Sequence, residues 1–161
     1  MKNGFDKSLR EQLVQLLNGG HAHATFDDAV EGFPPELRGK KVKDLPYSAW
    51  MLLEHMRLAQ WDILEFSRSA KHQSPKFPEG YWPATADPPQ ESSWDESIKS
   101  FRADLKAMQK LVSDPKTDLN KPFPWGDGQN VMREALLVAD HNAYHLGEFV
   151  VLRRLLGAWK K

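Results

Sequence analysis

Four stretches of this chain carry apolar residues at helical spacing, and the segments between them are proline-rich and aperiodic. The first runs from about Phe5 to about Glu31, ahead of Gly32 and Pro34-Pro35, with Leu9, Leu13, Leu16, Gly20, His23, Asp27 and Val30 on one stripe. Gly19-Gly20 weakens this helix by roughly 1 kcal/mol per glycine relative to alanine, and lets a neighbouring helix or a ligand come close. The second stretch is opened by Ser48 as N-cap and extends from Ala49 to about Ser69, with Leu52, His55, Ala59, Ile63 and Phe66 near one face. The third begins at Ser93-Trp94-Asp95-Glu96, which reads as a capping box with Ser93 as N-cap and Glu96 at N3. Its stripe is Ile98, Phe101, Leu105, Met108 and Val112, and Asp114-Pro115 ends it. The fourth goes from about Asn130 to Leu156, with Gly157 as C-cap and with Arg153 and Arg154 in the last turn, complementing the helix dipole.

Residues 32–47 read as a crossover loop, and residues 71–92, with five prolines and one glycine, as a long connection that carries Tyr81 and Trp82. No segment alternates as a half-buried strand would. The expected fold is therefore all-α, a four-helix bundle with long proline-rich crossover loops, in a single domain over residues 1–161.

Charge narrows the function classes. Acidic and basic residues balance at 22 each, so no global field favours nucleic acid or an anionic membrane, and Arg38, Lys40, Lys41 and Lys43 are only a local basic cluster. No apolar run approaches the length of a bilayer span, and Met1–Lys7 contains no apolar export core, so a cytoplasmic location is expected. Cysteine is absent, which leaves nitrogen and oxygen to hold any metal. Six tryptophans weigh heavily in whatever core or cleft forms.

The densest chemistry lies in the fourth helix. His141, His145 and Glu148 fall at i, i+4 and i+7, on one face at 3.6 residues per turn. An i, i+4 pair of imidazoles can reach one ion without distorting the helix, and His55 on the second helix offers a third nitrogen. Three nitrogens in a partly apolar cleft suit Zn²⁺ or Ni²⁺ and leave a position for water or a substrate atom. Each histidine also has a plainer reading, as a polar core residue satisfied by a carbonyl or carboxylate; for His55 the candidate is Asp62. Glu148 is a candidate for orienting a ligand imidazole or for a weak fourth ligand. His23 and Asp27, which could equally bond each other on a helix surface, are candidate substrate contacts, as are Trp82 and Trp125 from the loops. Tyr144, His21 and His72 lie off the inward stripes.

In this order the pieces resemble the DinB-like family. The resemblance spans nearly the whole chain, from Leu16–His23 through Ser48–Arg57 to Arg133–Leu136 and the run His141-Asn142-Ala143-Tyr144-His145-Leu146-Gly147-Glu148. It implies a helical bundle, a homodimer, and a divalent metal on one histidine of the second helix and an H-x-x-x-H pair of the last, here His55, His141 and His145. The family often has glutamine where this chain has Glu148. Among its members are thiol-cofactor S-transferases, isomerases and a hydrolase, so the resemblance implies a small-molecule substrate, and a low-molecular-weight thiol as co-substrate, more than any one reaction. The function expected is a metal-dependent enzyme of thiol-transferase or hydrolase type, binding neither nucleic acid nor membrane. The alternative is a non-enzymatic stress-response protein whose metal braces the fold.

Overall fold

In the computed structural model, which describes residues 2–159, the first helical run breaks where its two glycines fall. Gly19 and Gly20 take φ of 66° and 84°, a region closed to most side chains, so α1 (Lys2–Asn18) ends there. The chain restarts as a short α2 (Phe26–Val30). Thr25 starts that restart: its hydroxyl accepts from the Asp28 amide at 3.1 Å, and the Asp28 carboxylate accepts from the Thr25 amide at 2.8 Å. This is the capping box among the described residues. The one expected at Ser93 does not form: α4 (Ser93–Ser113) already begins at Ser93, whose hydroxyl accepts from the Gln90 amide instead. The remaining boundaries follow the sequence signals. Ser48 caps α3 (Ala49–Arg68) by accepting from the Met51 amide, and Asn130 caps α5 (Val131–Leu155) by accepting from Arg133. Gly157, at φ 72°, follows the end of α5. Among the described residues all regular structure is helical, with two single 3₁₀ turns at Pro35–Leu37 and Glu79–Tyr81.

The four long helices pack with α3 against α4 and α5, and α1 against the same two. Their buried side chains form two apolar clusters. One gathers Ala29 and Phe33 with Leu52, Leu53, Trp94, Phe101 and Phe149. The other gathers Leu13 and Leu17 of α1 with Leu64, Met108, Val112, Val131 and Val138. Thus α3 and α4 both run from the first cluster to the second, and α5 runs back. Neighbours that run the same way cannot be joined by a tight turn, which is why 24 residues, 69–92, separate α3 from α4. Between the clusters lies a polar layer. The Gln60 amide donates to the Phe101 carbonyl at 2.7 Å, and the Asn142 amide donates to Gln60 Oε1 at 2.8 Å. The triad of histidines lies at this level.

Two buried arginines close helix ends. Arg10 donates to the carbonyls of Val112, Asp114 and Thr117, where α4 stops. Arg153, in the last turn of α5 as expected, is 1% exposed and turns inward. Its guanidinium serves the carbonyls of Asp28, Ala29 and Glu31 at the end of α2, and its Nε that of Ala158. The last carbonyls of a helix have no partner within it, and a five-donor guanidinium can take several at once. Leu16, placed by periodicity on the inner stripe, is exposed at 52%, because Leu13 and Leu17 hold the core face of α1.

Candidate metal centre

Antiparallel packing sets His55 of α3 opposite His141 and His145 of α5. The Nε2 of His55 lies 3.1 Å from that of His145 and 3.2 Å from that of His141. Those separations are close to the edge of a tetrahedron of nitrogens about a zinc ion, about 3.3 Å for Zn–N distances of about 2.0–2.1 Å. The three rings form the group among the described residues whose ligand atoms converge tightly enough to hold a metal ion.

The other ring nitrogens decide what faces what. His55 Nδ1 is 3.0 Å from the Tyr81 carbonyl, which can only accept, so the proton sits on Nδ1. His145 Nδ1 is 2.7 Å from a Glu148 carboxylate oxygen and is likewise the donor. With both rings neutral, each Nε2 carries a lone pair, and the two face each other across 3.1 Å. Such a contact is repulsive unless a cation or a proton lies between. Burial, and then the neighbouring imidazoles, push His141 down to about 4, and burial leads the lowering of His55 as well, so these two rings favour the neutral form. Neutral imidazoles are the form in which histidine binds a metal. The residues present therefore fit a divalent ion held by nitrogen.

Aromatic rings wall this centre. Trp82 stacks flat on His55, with centroids 3.9 Å apart and planes 3° apart, and Tyr47 stacks on Trp82 in turn. Tyr144, 65% exposed, meets the His145 ring edge-on at 4.9 Å. Burial, followed by the charge and hydrogen bonding of Glu148, raises the Tyr47 phenol to about 12. Tyr47 was not anticipated as a site residue; it comes from the end of the aperiodic crossover before α3, where no spacing rule applies.

Of the other candidates, Trp82 alone reaches the histidines. His23 is exposed in the bend before α2, its Nδ1 2.9 Å from the Ala24 carbonyl, at the rim of an apolar cleft lined by Gly19, Gly20, Met56, Phe101 and Asn142. Asp27 pairs with Arg102 at 2.7 Å rather than with His23. Trp125 donates to the Phe66 carbonyl and stacks on Phe123, toward the far end of α3. Asp62 does not serve His55 directly. It accepts from the Tyr81 hydroxyl and pairs with His72, each at 2.6 Å, and so fixes the loop that presents the Tyr81 carbonyl to His55.

That clamp predicts an effect on metal affinity at a distance. Tyr81→Phe removes the hydroxyl bond to Asp62 and loosens the carbonyl that orients His55. Changes to such supporting groups weaken metal sites by 10–100-fold, and the lower end, about tenfold, is expected here because the carbonyl itself remains. Competition with a chromophoric chelator measures it; an unchanged affinity would show that the loop is held by other contacts.

No helix among the described residues is long and apolar enough to cross a membrane. No curated protein and no solved structure matches the chain. The sequence profile of the DinB superfamily does match, over residues 20–149, a span that contains all three convergent histidines, and the chain belongs to the DinB superfamily.

Proposed function

We propose that the chain is a metal-dependent enzyme acting on a small molecule, of thiol-transferase or hydrolase type, and that its four long helices form a four-helix bundle around a site for Zn²⁺ or Ni²⁺. The observation that carries this reading is the convergence of three imidazole Nε2 atoms, His55 lying 3.1 Å from His145 and 3.2 Å from His141. His55, His141 and His145 would hold the ion. Such an ion supplies Lewis-acid polarisation of a substrate atom, and three protein nitrogens leave it able to accept one.

The chain's own residues prepare the site for that chemistry. Glu148 keeps the proton on His145 Nδ1 and so keeps Nε2 free to ligate. Tyr81 does the same for His55 through its carbonyl. Trp82 shields one face of His55 from water, which strengthens every electrostatic interaction inside. The Tyr47 phenol, raised to about 12, keeps its proton at neutral pH and holds it toward Glu148. A substrate that is electrophilic, with a low-molecular-weight thiol as second reactant, fits an aromatic-walled site that lacks a cysteine or serine nucleophile of its own.

Elemental analysis of protein purified without chelators tests the first half of this reading, with about one divalent ion per chain expected. Chelator-stripped and reloaded protein, compared in thiol-conjugation and hydrolysis assays, tests the second. Turnover that appears only on reloading supports the enzyme. Stoichiometric metal with no turnover, and with a large fall in thermal stability on stripping, would overturn it in favour of an ion that braces the fold. Absence of metal even after incubation with Zn²⁺ or Ni²⁺ would discard both.

A further inference from the structure

Of the basic cluster Arg38, Lys40, Lys41 and Lys43, the three lysines are exposed and Arg38 is half-buried. Its backbone is held from two sides. The Arg38 amide donates to the Pro35 carbonyl at 3.2 Å, closing the 3₁₀ turn that Pro34 and Pro35 begin. Its carbonyl accepts from the Trp50 amide of α3 at 2.8 Å. The main chain that carries this side chain is therefore fixed before anything binds to it.

The guanidinium itself is idle. Among the described residues no hydrogen bond and no ion pair engages it, and its Nε is buried without an acceptor. Its Cζ lies 4.9 Å from the ring centroid of the fully buried Trp94. This chain does otherwise with its buried arginines, since Arg10 and Arg153 each serve several carbonyls. A donor that has given up water and gained no acceptor is a net cost to the fold.

Arg38 lines a cavity of about 280 Å³, at the small end for small-molecule pockets, about 300–1,000 Å³. Phe33, Trp94 and Ile98 give the cavity an apolar floor, and Lys99 and Arg102 of α4 line it with Arg38. None of the three convergent histidines does, so the cavity is separate from the candidate metal centre. Two carboxylates also line it. Asp95 is exposed in the first turn of α4, where the helix dipole favours it, and the charge of Glu31 acts on the buried Arg153. Arg102 is engaged by Asp27 at 2.7 Å. Arg38 and Lys99 are left as the lining cations with no ion pair among the described residues.

A planar fork of donors matches the two oxygens of a carboxylate. A phosphate dianion would find the same donors, but Glu31 and Asp95 repel a double charge more, and it has no apolar body for the floor. We propose that this cavity binds a small organic carboxylate, its carboxyl group on the Arg38 fork with Lys99 beside it, and its apolar body over Ile98. The proposal does not rest on the metal reading.

Benzoate is a suitable probe. Arginine Nε–H groups give separate signals in a proton–nitrogen correlation spectrum, and the Arg38 signal is the one lost in Arg38→Lys. Titrating the full chain with benzoate at constant ionic strength should shift that signal, with a Kd on the order of 1 mM. Benzyl alcohol, the same ring without the charge, should leave it in place. Arg38→Met keeps much of the bulk without the fork; it should stay folded by circular dichroism and weaken benzoate binding, read by calorimetry, at least about tenfold. Arg38→Lys keeps the charge alone and should fall between the two. A wild-type signal that stays put well above that Kd would overturn the proposal. An equal response to benzyl alcohol would also overturn it, leaving only an apolar cleft, and a tighter response to inorganic phosphate would make this a phosphate site instead. Undiminished benzoate binding by Arg38→Met would place the carboxylate elsewhere and overturn it too.

Discussion

His141→Ala protein, purified beside the wild type, is expected to carry no stoichiometric metal while keeping its fold. Loss of a supporting group costs a metal site 10–100-fold, and loss of one of three ligating nitrogens should exceed that, to at least about a hundredfold, or about 2.8 kcal/mol. The substitution is informative because His141 contributes little to the fold on its own. Its Nδ1 is buried without a partner, and burial pushes the ring down to about 4. The metal-free variant should therefore be no less stable than metal-free wild type. Acid conditions sharpen the comparison. Below the ordinary value of 6.5 the unfolded chain protonates this histidine while the folded chain does not, so protons favour unfolding. Stability of the metal-free wild type rises with pH from about 4 to 6.5 and then levels as far as this group is concerned. His141→Ala should flatten part of that rise and leave the share due to His55. Metal content by elemental analysis and urea unfolding across this pH range measure the two effects. A variant that keeps one ion per chain would remove His141 from the site.

Which parts of this centre could be read from the chain follows from periodicity. His141, His145 and Glu148 lie within one long uninterrupted helix, where spacing alone puts them on one face, and His55 lies in another with a clean N-cap. Helix existence and the all-α class rested on the same signal. Contributions from loops had no such rule. Tyr47 reaches Trp82, and the Tyr81 carbonyl reaches His55, only through the packing of crossovers, and a backbone carbonyl leaves no mark on a sequence at all. Trp82 and Trp125 looked alike as loop tryptophans, and only tertiary structure sends one to His55 and the other to Phe66. The break in the first helix was legible but outweighed: the stripe ran on through Gly20 to Val30, while two adjacent glycines followed by Thr25-Phe26-Asp27-Asp28 are a stop and a new capped start. That break is also why His23 and Asp27, one turn apart on a continuous helix, are not paired.

Arg153→Met should be among the most destabilising single changes in this chain, although it touches none of the three histidines. Reading the arginine as a surface complement to the α5 dipole would make it nearly neutral, since exposed charges near a helix end contribute only about 0.3–1 kcal/mol. Its burial implies a different scale. Methionine fills much of the same volume but donates nothing, and it leaves the carbonyls of Asp28, Ala29, Glu31 and Ala158 without the guanidinium. The bond to Ala29 is buried and the other three are partly so, and a buried acceptor that loses its donor costs about 1–3 kcal/mol. Part of that is recovered where water enters near the exposed end of α2, so a total of about 3–5 kcal/mol is expected. Against a stability on the order of 5–15 kcal/mol that is a large fraction, and at this chain length it lowers Tm on the order of 10 °C. The ring of Phe33, which the guanidinium overlies at 5.3 Å, loses its cation as well. Arg68→Met, at an exposed pair with Glu65, serves as the control and should change stability by less than about 1 kcal/mol. Urea unfolding of both variants decides the matter. A cost below about 1 kcal/mol for Arg153→Met would mean that α2 is held by Ala29, Val30 and Phe33 in the apolar cluster, and that the four carbonyl bonds are dispensable.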